Sequence, residues 1–342
     1  MEKQRIAVIG AGAIGGITAA LMAAQGQDVW LVCKHMEIAD LANGRGLHVT
    51  GFCCEHTVPV HSVAAIEELH GAFDLCLIAT QAYDMPECAR TMLPLLKPDA
   101  LVVSMQNGIC TDALAAGVGK ERTVGCVIGW GATMHGVGEL EMTSGGDFVI
   151  GRLVPGEHPK MEALRQALSA VVETRISPDI YAELYSKLVV NSCITSLGAI
   201  CGLHLGEMLK RRRAREIFLA VIGEAMNVAH AMQVKVPPFG GKLDYDKLMH
   251  GTTPLDELRR HVMLLIVGAK YSKLKSSSLQ SLERGRPTEI DYFNGYIVQK
   301  GKEVGVDCPV NARLVTMVKE IERHAREINV KNLEDAGLTL GK

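Results

Sequence analysis

Near its start the chain reads Ile6-Ala7-Val8-Ile9-Gly10-Ala11-Gly12-Ala13-Ile14-Gly15. The apolar run before the glycines predicts a buried strand, and the stretch from Ile14 to Gln25 predicts a helix. The G-x-G-x-x-G spacing thus lies at a strand-to-helix turn, which is the context that dinucleotide binding requires. Gly10 would allow the tight turn, Gly12 would let the backbone approach a pyrophosphate, and Gly15 would let helix and strand pack closely. We expect all six residues of the motif to contact a dinucleotide; a glycine-rich turn without a ligand is the alternative.

The rest of the first half repeats this alternation of short apolar runs and helical segments. Further strands are predicted at Asp28 to Cys33, Asp74 to Ala79 and Ala100 to Ser104, and helical segments at Ile66 to His70 and Pro86 to Leu96. Strands that are apolar on both faces and separated by helices indicate a parallel sheet covered by helices. The stretch from Thr123 to Gly151 is predicted to add short strands, among them a hairpin of Val137 to Met142 with Asp147 to Ile150.

The second half has a helical pattern with little sustained β character. Amphipathic helices are predicted near residues 180–200, 212–234, 254–274, 288–304 and 309–330. The fold class is therefore α/β, with an N-terminal Rossmann-type dinucleotide-binding domain at residues 1–177 and an all-helical domain at residues 178–342.

Composition excludes several classes of protein. Of 342 residues, 48% are hydrophobic and 22% are charged, which excludes a disordered chain. The net charge of -2 provides no general basic field for nucleic acid or an anionic membrane. The cationic run from Lys210 to Arg213 is read as a solvated helix end rather than a polyanion site. No uninterrupted apolar run of about 18 residues occurs, so we expect no membrane span.

The cysteines indicate a reduced protein. Ten are present, Cys53 and Cys54 are adjacent, and no C-x-x-C pair or zinc-type spacing occurs. Most of the others lie in apolar runs, where a thiol acts as a small hydrophobe. Without zinc-type spacing, we expect no metal site. The N-terminus carries no signal-peptide core, so we expect a cytoplasmic protein.

Polar side chains at strand ends are the first candidates for cofactor contacts. The second strand is followed by Lys34 and His35, with no acidic residue at that end. Asp or Glu there would accept from the ribose 2′-hydroxyl of NAD, whereas a cation suits the 2′-phosphate of NADP. We therefore expect NADP(H); a surface lysine without this role is the alternative. Asn107 follows the strand that ends at Ser104 and could bond a nicotinamide, or simply form an Asn-Gly turn with Gly108.

A polar stripe on the first helix of the second half is the main candidate for substrate chemistry. Lys187, Asn191 and Thr195 recur at i, i+4 and i+8 in an otherwise apolar segment. In a cleft, this stripe could bind a carboxylate and protonate a developing alkoxide. Facing solvent, it would be a snorkelling lysine with polar neighbours. Further along the chain, Thr288 and Asp291 resemble a helix-capping pair. Glu289 lies between them, in the first helical turn, and capping alone does not determine its role.

Taken in order, these motifs resemble the ketopantoate reductase (2-dehydropantoate 2-reductase) family over about residues 5–330. The resemblance is carried by the glycine motif, Gln106-Asn107-Gly108, the Glu-Leu-x-x-Lys-Leu-x-x-Asn helix, and the Arg-x-Thr-Glu-Ile-Asp-x-x-Asn-Gly segment. It implies an active site in the cleft between a Rossmann domain and a helical domain, where NADPH reduces a 2-keto acid to a 2-hydroxy acid.

The resemblance also implies roles for individual residues. Lys187 would be the proton donor, and Glu289 the cleft carboxylate that contacts cofactor or substrate. The implied substrate contacts are Asn107, Lys187, Asn191, Thr195 and Ser277. The implied cofactor contacts, besides the glycine motif and Lys34, are Gln81, Asn107, Gly131 and Glu289.

The chain departs from the family pattern at three positions. It has Gln81 where the family often has Lys, Thr195 where a second Asn usually occurs, and Leu205 where an Asn commonly precedes Gly-Glu. Reduction of 2-dehydropantoate to pantoate, in pantothenate biosynthesis, is therefore one of three hypotheses. The second hypothesis is a related reductase for a more apolar 2-keto acid. The third is a non-catalytic nucleotide-sensing protein, but the presence of both Lys187 and Glu289 argues against it. The apolar helices also allow a homodimer.

Overall fold

The computed structural model describes residues 4–52 and 55–338, so Cys53 and Cys54 lie outside the described residues. The chain divides into two compact units, Met1–Leu184 (unit 1) and Tyr185–Lys342 (unit 2). This division falls inside a helix that begins at Ile180. The domain boundary between residues 177 and 178, just before that helix, stays a prediction.

Unit 1 contains twelve strands and five helices among its described residues. The strands are β1 (Arg5–Ile9), β2 (Asp28–Val32), β3 (Leu47–Gly51), β4 (His56–Val58), β5 (His61–Val63), β6 (Phe73–Ile78), β7 (Leu96–Ser104), β8 (Thr123–Ile128), β9 (Gly131–Gly136), β10 (Glu139–Ser144), β11 (Phe148–Arg152) and β12 (Thr174–Ile176). The helices are α1 (Ala13–Ala24), α2 (Met36–Asn43), α3 (Met85–Met92), α4 (Thr111–Val118) and α5 (Pro159–Leu168).

The main sheet has the order β12-β11-β8-β7-β6-β1-β2-β5. Neighbours from β5 to β8 pair in parallel, whereas β11 is antiparallel to β8. Every residue of β6 and β8 is buried, because helices cover both faces of a parallel sheet. The predicted α/β class with an N-terminal Rossmann-type domain is confirmed.

A second sheet, in the order β4-β3-β10-β9, corrects the predicted hairpin. β10 pairs with β9 across a turn in which Gly138 has a φ of 74°, and β11 leaves to join the main sheet. The hairpin prediction was wrong because the tight reversal lies at Gly138, before β10, where a glycine adopts the left-handed backbone that such turns require. The second sheet packs on α1, since a Cβ at Gly16 would lie 2.6 Å from Leu140 Cδ1.

The amino-terminal edge of the main sheet holds a buried ionic cluster. Asp74 is only 4% exposed, and its carboxylate accepts from the Arg5 backbone N–H at 3.0 Å and from Nζ of Lys97 and of Lys160, each at 2.9 Å. Lys160 Nζ also donates to Asp99 at 2.7 Å. Burial by itself would raise the pKa of Asp74, but the bonds from Lys160, Arg5 and Lys97 outweigh it and hold that pKa below its ordinary value.

Unit 2 is built from helices. They are α6 (Ile180–Cys201, beginning in unit 1), α7 (Leu205–Lys210), α8 (Arg212–Ala231), α9 (Tyr245–Met249), α10 (Pro254–Lys270), α11 (Ser277–Glu283), α12 (Asn294–Val304) and α13 (Pro309–Glu322). The five predicted helices are all found, with α12 beginning after a 3₁₀ turn and α13 ending earlier than predicted. The short helices α7, α9 and α11 were not predicted, because each is too brief for a periodic pattern to register.

Buried hydrogen bonds fix the helices of unit 2 around α6. Tyr185 Oη donates to the carbonyl of Ala225 at 2.8 Å, and Tyr245 Oη donates to the carbonyl of Ser186 at 2.7 Å. By length and composition alone α6 could cross a membrane, but 83% of its most apolar window is buried inside the protein. Its apolar composition is therefore that of a core helix.

Candidate functional site

The glycine motif forms a tight loop between β1 and α1. Gly10 has a φ of 108°, and a Cβ there would lie 3.0 Å from the backbone carbonyl of Ala79. A Cβ at Gly15 would lie 2.0 Å from the Gly10 oxygen, so a side chain at that position would collide with backbone. At Gly12, by contrast, no atom lies within 4 Å of the Cβ position. The loop is thus packed closely on one side and open at Gly12, the shape that close approach of a pyrophosphate requires.

This loop lies at the point where the strand order of the main sheet reverses. From β1 the chain passes outward through β2 and β5, then returns to β6 on the other side of β1. Ligands of open α/β sheets bind at the carboxyl ends of the strands at such a point. The contacts of Gly10 and Gly15 with Ala79, directly after β6, bring the two strand ends together there.

Gln106 connects the loops that follow β6 and β7, and sequence reasoning missed this role. Its side chain is 6% exposed; Nε2 donates to the carbonyls of Ile78 at 2.8 Å and Thr80 at 3.1 Å. Its Oε1 accepts from Ser104 Oγ at 2.7 Å. The available signal was a long amide two residues after the buried run Ala100–Ser104, because a polar group buried there needs partners. Gln106 thereby sets the backbone that leads into Asn107.

The other predicted cofactor residues of unit 1 lie at several places around this edge. Asn107 is half-buried in the loop after β7, and Gln81 is exposed in the loop after β6. Lys34 is exposed between β2 and α2, one residue before the N-cap of that helix. Gly131 begins β9 in the second sheet, where its N–H donates to Ser144 Oγ at 2.9 Å. Their roles stay predictions.

In unit 2 the predicted polar stripe lies along one face of α6. Lys187 and Asn191 are half-buried, and Thr195 is 5% exposed. Thr195 Oγ1 donates to the Asn191 carbonyl at 2.7 Å. The hydroxyl proton is therefore used within the helix, and only the oxygen of Thr195 remains as an acceptor toward another group.

The amino end of α11 lies against the same face of α6. A Cβ at Gly198 would be 2.5 Å from Ser276 Oγ, so the two helices touch there. Gly198 follows Lys187 by eleven residues, about three helical turns, and so lies on the same side of α6 as the stripe. Ser276 caps α11 by accepting from the Leu279 N–H at 3.1 Å, which leaves the next residue, Ser277, exposed at the first turn.

Leu205 is a buried neighbour of this region. It is 2% exposed, and its N–H donates to the carbonyl of Leu274 at 2.9 Å, two residues before Ser276. The structure of unit 2 thus joins the predicted stripe, the start of α11 and Leu205 in one part of the unit.

Glu289 is half-buried just before the 3₁₀ turn Ile290–Tyr292, and the residue before it is firmly held. The Thr288 N–H and Oγ1 both donate to Glu322 Oε1, each at 2.7 Å. The expected capping pair is only half correct: Thr288 Oγ1 accepts from the Ile290 N–H at 3.3 Å, but Asp291 forms an ion pair with Lys319 at 2.6 Å. Nothing in the sequence indicated that Glu322 would contact Thr288, because Glu322 lies on a different helix.

A surface cavity of 630 Å³ lies beside this segment, between the end of α11 and the end of α13. Arg286, Glu322 and Arg326 provide charged groups to its wall. Arg326 is already engaged by Glu320 at 2.6 Å and by Asn332 at 3.0 Å. Within residues 4–52 and 55–338, no group of three or more His, Cys, Asp or Glu side chains could hold a metal ion.

Comparison with known proteins covers both units. A family model described as ketopantoate reductase PanE/ApbA matches residues 6–155, and its C-terminal counterpart matches residues 179–322. The 2-dehydropantoate 2-reductase of Archaeoglobus fulgidus is 29% identical, covering 94% of this chain and 99% of that protein. An uncharacterized oxidoreductase of Bacillus subtilis, YkpB, is 24% identical over 89% of this chain and 94% of its own length.

Solved structures give the same picture of the fold. A PanE/ApbA family ketopantoate reductase from Ralstonia eutropha matches with a TM-score of 0.79 at 26% identity, covering 94% of this chain and 99% of that one. D-mandelate dehydrogenase, solved with NADH and anilino(oxo)acetate, matches with a TM-score of 0.79 at 24% identity, over the same shares of the two chains.

Proposed function

Because the chain belongs to the ketopantoate reductase family, we propose that it uses NADPH to reduce a 2-keto acid to a 2-hydroxy acid. The family predicted from the sequence is confirmed, and the chain is accordingly an oxidoreductase. 2-Dehydropantoate is the substrate that we propose first, as in the A. fulgidus relative. The observation that carries the proposal is that Lys187 and Asn191 are half-buried on one face of α6, and that Ser276, the residue before Ser277, packs against this helix at Gly198.

The glycine loop of unit 1 fits a dinucleotide. The open space at Gly12 would admit the pyrophosphate, whose charge suits the N-terminus of α1. Lys34 would pair with the 2′-phosphate, while Asn107, Gln81 and Gly131 would make further contacts. The bound cofactor would supply a hydride to C2 of the substrate.

The residues of unit 2 would bind the keto acid and provide the proton. Asn191 and Ser277 offer an amide and a hydroxyl to the substrate carboxylate, and the Lys187 ammonium adds positive charge. Lys187 Nζ would donate its proton to the C2 oxygen as charge develops there. Glu289, held in place through Thr288, would contact cofactor or substrate.

A panel of 2-keto acids tests this function. We expect oxidation of NADPH by the purified protein with 2-dehydropantoate, followed by the loss of reduced-nicotinamide absorbance, and no oxidation without a keto acid. Tight NADPH binding without turnover on any panel member would instead favour a non-catalytic nucleotide-sensing protein.

We expect NADPH to be preferred over NADH, and Lys34→Ala to remove the preference. A charge-assisted bond to the 2′-phosphate contributes about 1.5–3 kcal/mol, roughly ten- to a hundredfold in affinity. The fold alone does not determine which of the two cofactors is preferred, because D-mandelate dehydrogenase binds NADH in the same fold. The measurement is kcat/KM for each cofactor in the wild type and in Lys34→Ala.

His35→Ala is the matched control, because His35 is the next residue and is also exposed. It should leave the cofactor preference within about twofold of the wild type. Equal kcat/KM for the two cofactors in the wild type would refute the NADPH assignment, as would a Lys34→Ala variant that keeps the preference.

A more apolar 2-keto acid is the second candidate substrate, and Thr195 and Leu205 favour it. The Thr195 hydroxyl proton is committed to the Asn191 carbonyl, and the buried Leu205 side chain cannot hydrogen-bond. A buried substrate hydroxyl that loses its partner costs about 1–3 kcal/mol. We expect branched or aromatic 2-keto acids without a hydroxyl to be reduced at least as well as 2-dehydropantoate.

The double variant Leu205→Asn with Thr195→Asn should shift kcat/KM back toward 2-dehydropantoate. The comparison is the ratio of kcat/KM for 2-dehydropantoate and for an unhydroxylated analogue, in the variant and in the wild type. A wild type that rejects the analogue by about a hundredfold or more would exclude the apolar substrate.

We also propose a cytoplasmic location. The eight cysteines of the described residues are all free thiols, as expected in a reducing compartment. Burial raises the pKa of Cys33 and of Cys308 to about 12, so these thiols stay protonated and unreactive at neutral pH.

A further inference from the structure

The cavity between the ends of α11 and α13 has no part in the proposed reaction. Its volume of 630 Å³ lies within the range of about 300–1,000 Å³ that is typical of small-molecule sites. Such sites combine apolar walls with a few polar groups that fix the orientation of a ligand. The apolar residues of this wall are Leu282, Pro287, Ile321 and Ile328, and the charged or titratable ones are Arg286, Glu322, His324, Arg326 and Glu327.

Two of the charged groups in the wall are engaged with the protein itself. Arg326 donates to Glu320 at 2.6 Å and to Asn332 at 3.0 Å. Glu322 Oε1 accepts two hydrogen bonds from Thr288, each at 2.7 Å. These bonds hold the wall in place, so a ligand must be recognised mainly by the other charged groups.

Arg286 and Glu327 are the charged groups that remain for a ligand. Both are exposed, and among residues 4–52 and 55–338 neither side chain forms a hydrogen bond or an ion pair. A guanidinium binds a carboxylate through two parallel N–H···O bonds, and a carboxylate accepts hydrogen bonds from an ammonium. The cavity thus offers one partner for each charge of a zwitterion, beside an apolar surface.

The carboxyl ends of two helices add negative potential to the cavity. Gly285, with a φ of 63°, closes α11 directly before Arg286. His324, with a φ of 58°, occupies the corresponding position after α13, and the Ala325 N–H donates back to the Glu320 carbonyl at 2.8 Å. Glycine is the usual residue in such a left-handed turn, and a histidine there adds a ring to the wall. The carboxyl end of a helix attracts cations, so both turns favour the ammonium of a ligand.

We propose that this cavity binds a free α-amino acid with an aliphatic side chain. The Arg286 guanidinium binds its carboxylate, Glu327 and the two helix ends bind its ammonium, and the apolar wall covers its side chain. A simple anion would lie beside the carboxylate of Glu327, and a simple amine would lie beside the guanidinium of Arg286. Because like charges side by side weaken binding, a ligand that carries both charges fits the cavity better than either.

Glu322 connects this cavity with Glu289, and this part of the proposal rests on the proposed function. Glu322 lines the cavity and accepts from both the N–H and Oγ1 of Thr288, the residue before Glu289. A ligand ammonium beside Glu322 competes with Thr288 for the same carboxylate. The bound amino acid therefore loosens the segment that carries Glu289, and we expect it to lower kcat/KM for the keto acid by about fivefold or more.

Isothermal titration calorimetry with L-leucine tests the site in the absence of cofactor and keto acid. We expect a Kd of about 0.1–1 mM, in keeping with the small size of this ligand. Two analogues each lack one charge, 4-methylpentanoate the ammonium and 3-methylbutylamine the carboxylate, and each should bind about tenfold more weakly or less. Arg286→Ala and Glu327→Ala should weaken leucine binding to a similar extent. Arg284→Ala and Glu334→Ala are the matched controls, because both residues are exposed and lie outside the cavity wall.

Three results would overturn the amino-acid site. The first is a wild type that does not bind leucine, and the second is an Arg286→Ala variant that binds it as well as the wild type does. The third concerns Lys187→Ala, which should keep the wild-type affinity for leucine. Loss of binding in that variant would place leucine in the substrate site instead.

Substitution of His324 separates the loss of a ligand contact from damage to the fold. Glycine suits the left-handed backbone at this position, so His324→Gly should not lower the Tm, whereas leucine binding should weaken about threefold or more. Gln233→Gly is the control, because Gln233 has the same φ of 58° after α8 and lies outside the cavity wall. A His324→Gly variant with wild-type affinity for leucine would contradict the placement of the ligand against this wall.

Steady-state kinetics with added leucine tests the connection to Glu289. The wild type should lose kcat/KM for the keto acid, and Arg286→Ala should not. Leucine binding without any loss of kcat/KM would refute the connection. A protein that binds leucine but reduces no keto acid would refute the proposed function and not the amino-acid site.

Discussion

Replacing Lys187 by Ala is expected to lower kcat by about 10² to 10⁴, the range that a positioned proton donor contributes. Without Nζ no ammonium can protonate the C2 oxygen as hydride arrives, while Gly12 and the rest of the dinucleotide loop are untouched. NADPH affinity, measured by fluorescence titration, should therefore change less than about threefold. Steady-state kinetics with the best substrate of the keto-acid panel gives the measurement of kcat.

Two further variants separate proton donation from charge and from general damage. Lys187→Arg keeps the positive charge, but a guanidinium does not deprotonate in proteins, so kcat should stay low while KM for the keto acid stays close to that of the wild type. Lys242→Ala removes an exposed cation from the same unit and should leave kcat unchanged. A Lys187→Arg variant with wild-type kcat would mean that positive charge, rather than a transferred proton, is what Lys187 contributes.

Replacing Asp74 by Ala is expected to destabilise unit 1 by about 3–5 kcal/mol, the cost of removing one partner from a buried ion pair. Lys160 would keep only Asp99, and the N–H of Arg5 would lose its acceptor. Because the cluster lies at the amino-terminal edge of the sheet, opposite the dinucleotide loop, kcat/KM below the melting temperature should be unchanged. Urea denaturation monitored by circular dichroism gives the free energy of unfolding.

The contribution of Asp74 should also depend on pH in one direction. Its pKa is lower in the folded protein than in the unfolded chain, so its stabilisation is present above the unfolded value and is lost as pH falls through the folded value. Glu162→Ala removes the exposed ion pair with Arg165 on α5 and should leave the free energy of unfolding nearly unchanged, because solvent screens such a pair. An Asp74→Ala variant no less stable than Glu162→Ala would show that the cluster is not stabilising.

The main sheet could be predicted because its strands carry their own signal. Runs such as Asp74 to Ala79 are apolar on both faces, and only a parallel sheet under helices buries both. The second sheet could not be predicted in the same way. β9 reads Gly-Ala-Thr-Met-His-Gly, without alternation, and β3 finds its partner β10 far along the chain. Pairing at such a distance leaves no local pattern, so the hairpin was assigned to the wrong two segments.

The candidate site likewise has one part that the sequence predicts and another that it does not. The i, i+4, i+8 spacing of Lys187, Asn191 and Thr195 predicts a shared helix face, because the helical period alone sets it. No spacing shows that Thr195 uses its hydroxyl within the helix, or that Ser276 lies against Gly198. These features depend on rotamers and on tertiary packing, which a single sequence does not contain. Glu322, which holds Thr288 from another helix, is missed for the same reason.

The parallel pairing of β3 with β10 has a consequence for how the chain folds during synthesis. His48 pairs with Glu139, so β3 emerges from the ribosome about 90 residues before its partner. At typical elongation rates of 5–20 residues per second, that interval lasts about 5–20 s. During it, the side of α1 that Leu140 later covers is exposed, as is one edge of β3. A nascent chain stalled before residue 139 would therefore present apolar surface and an unpaired strand, the features that chaperones bind.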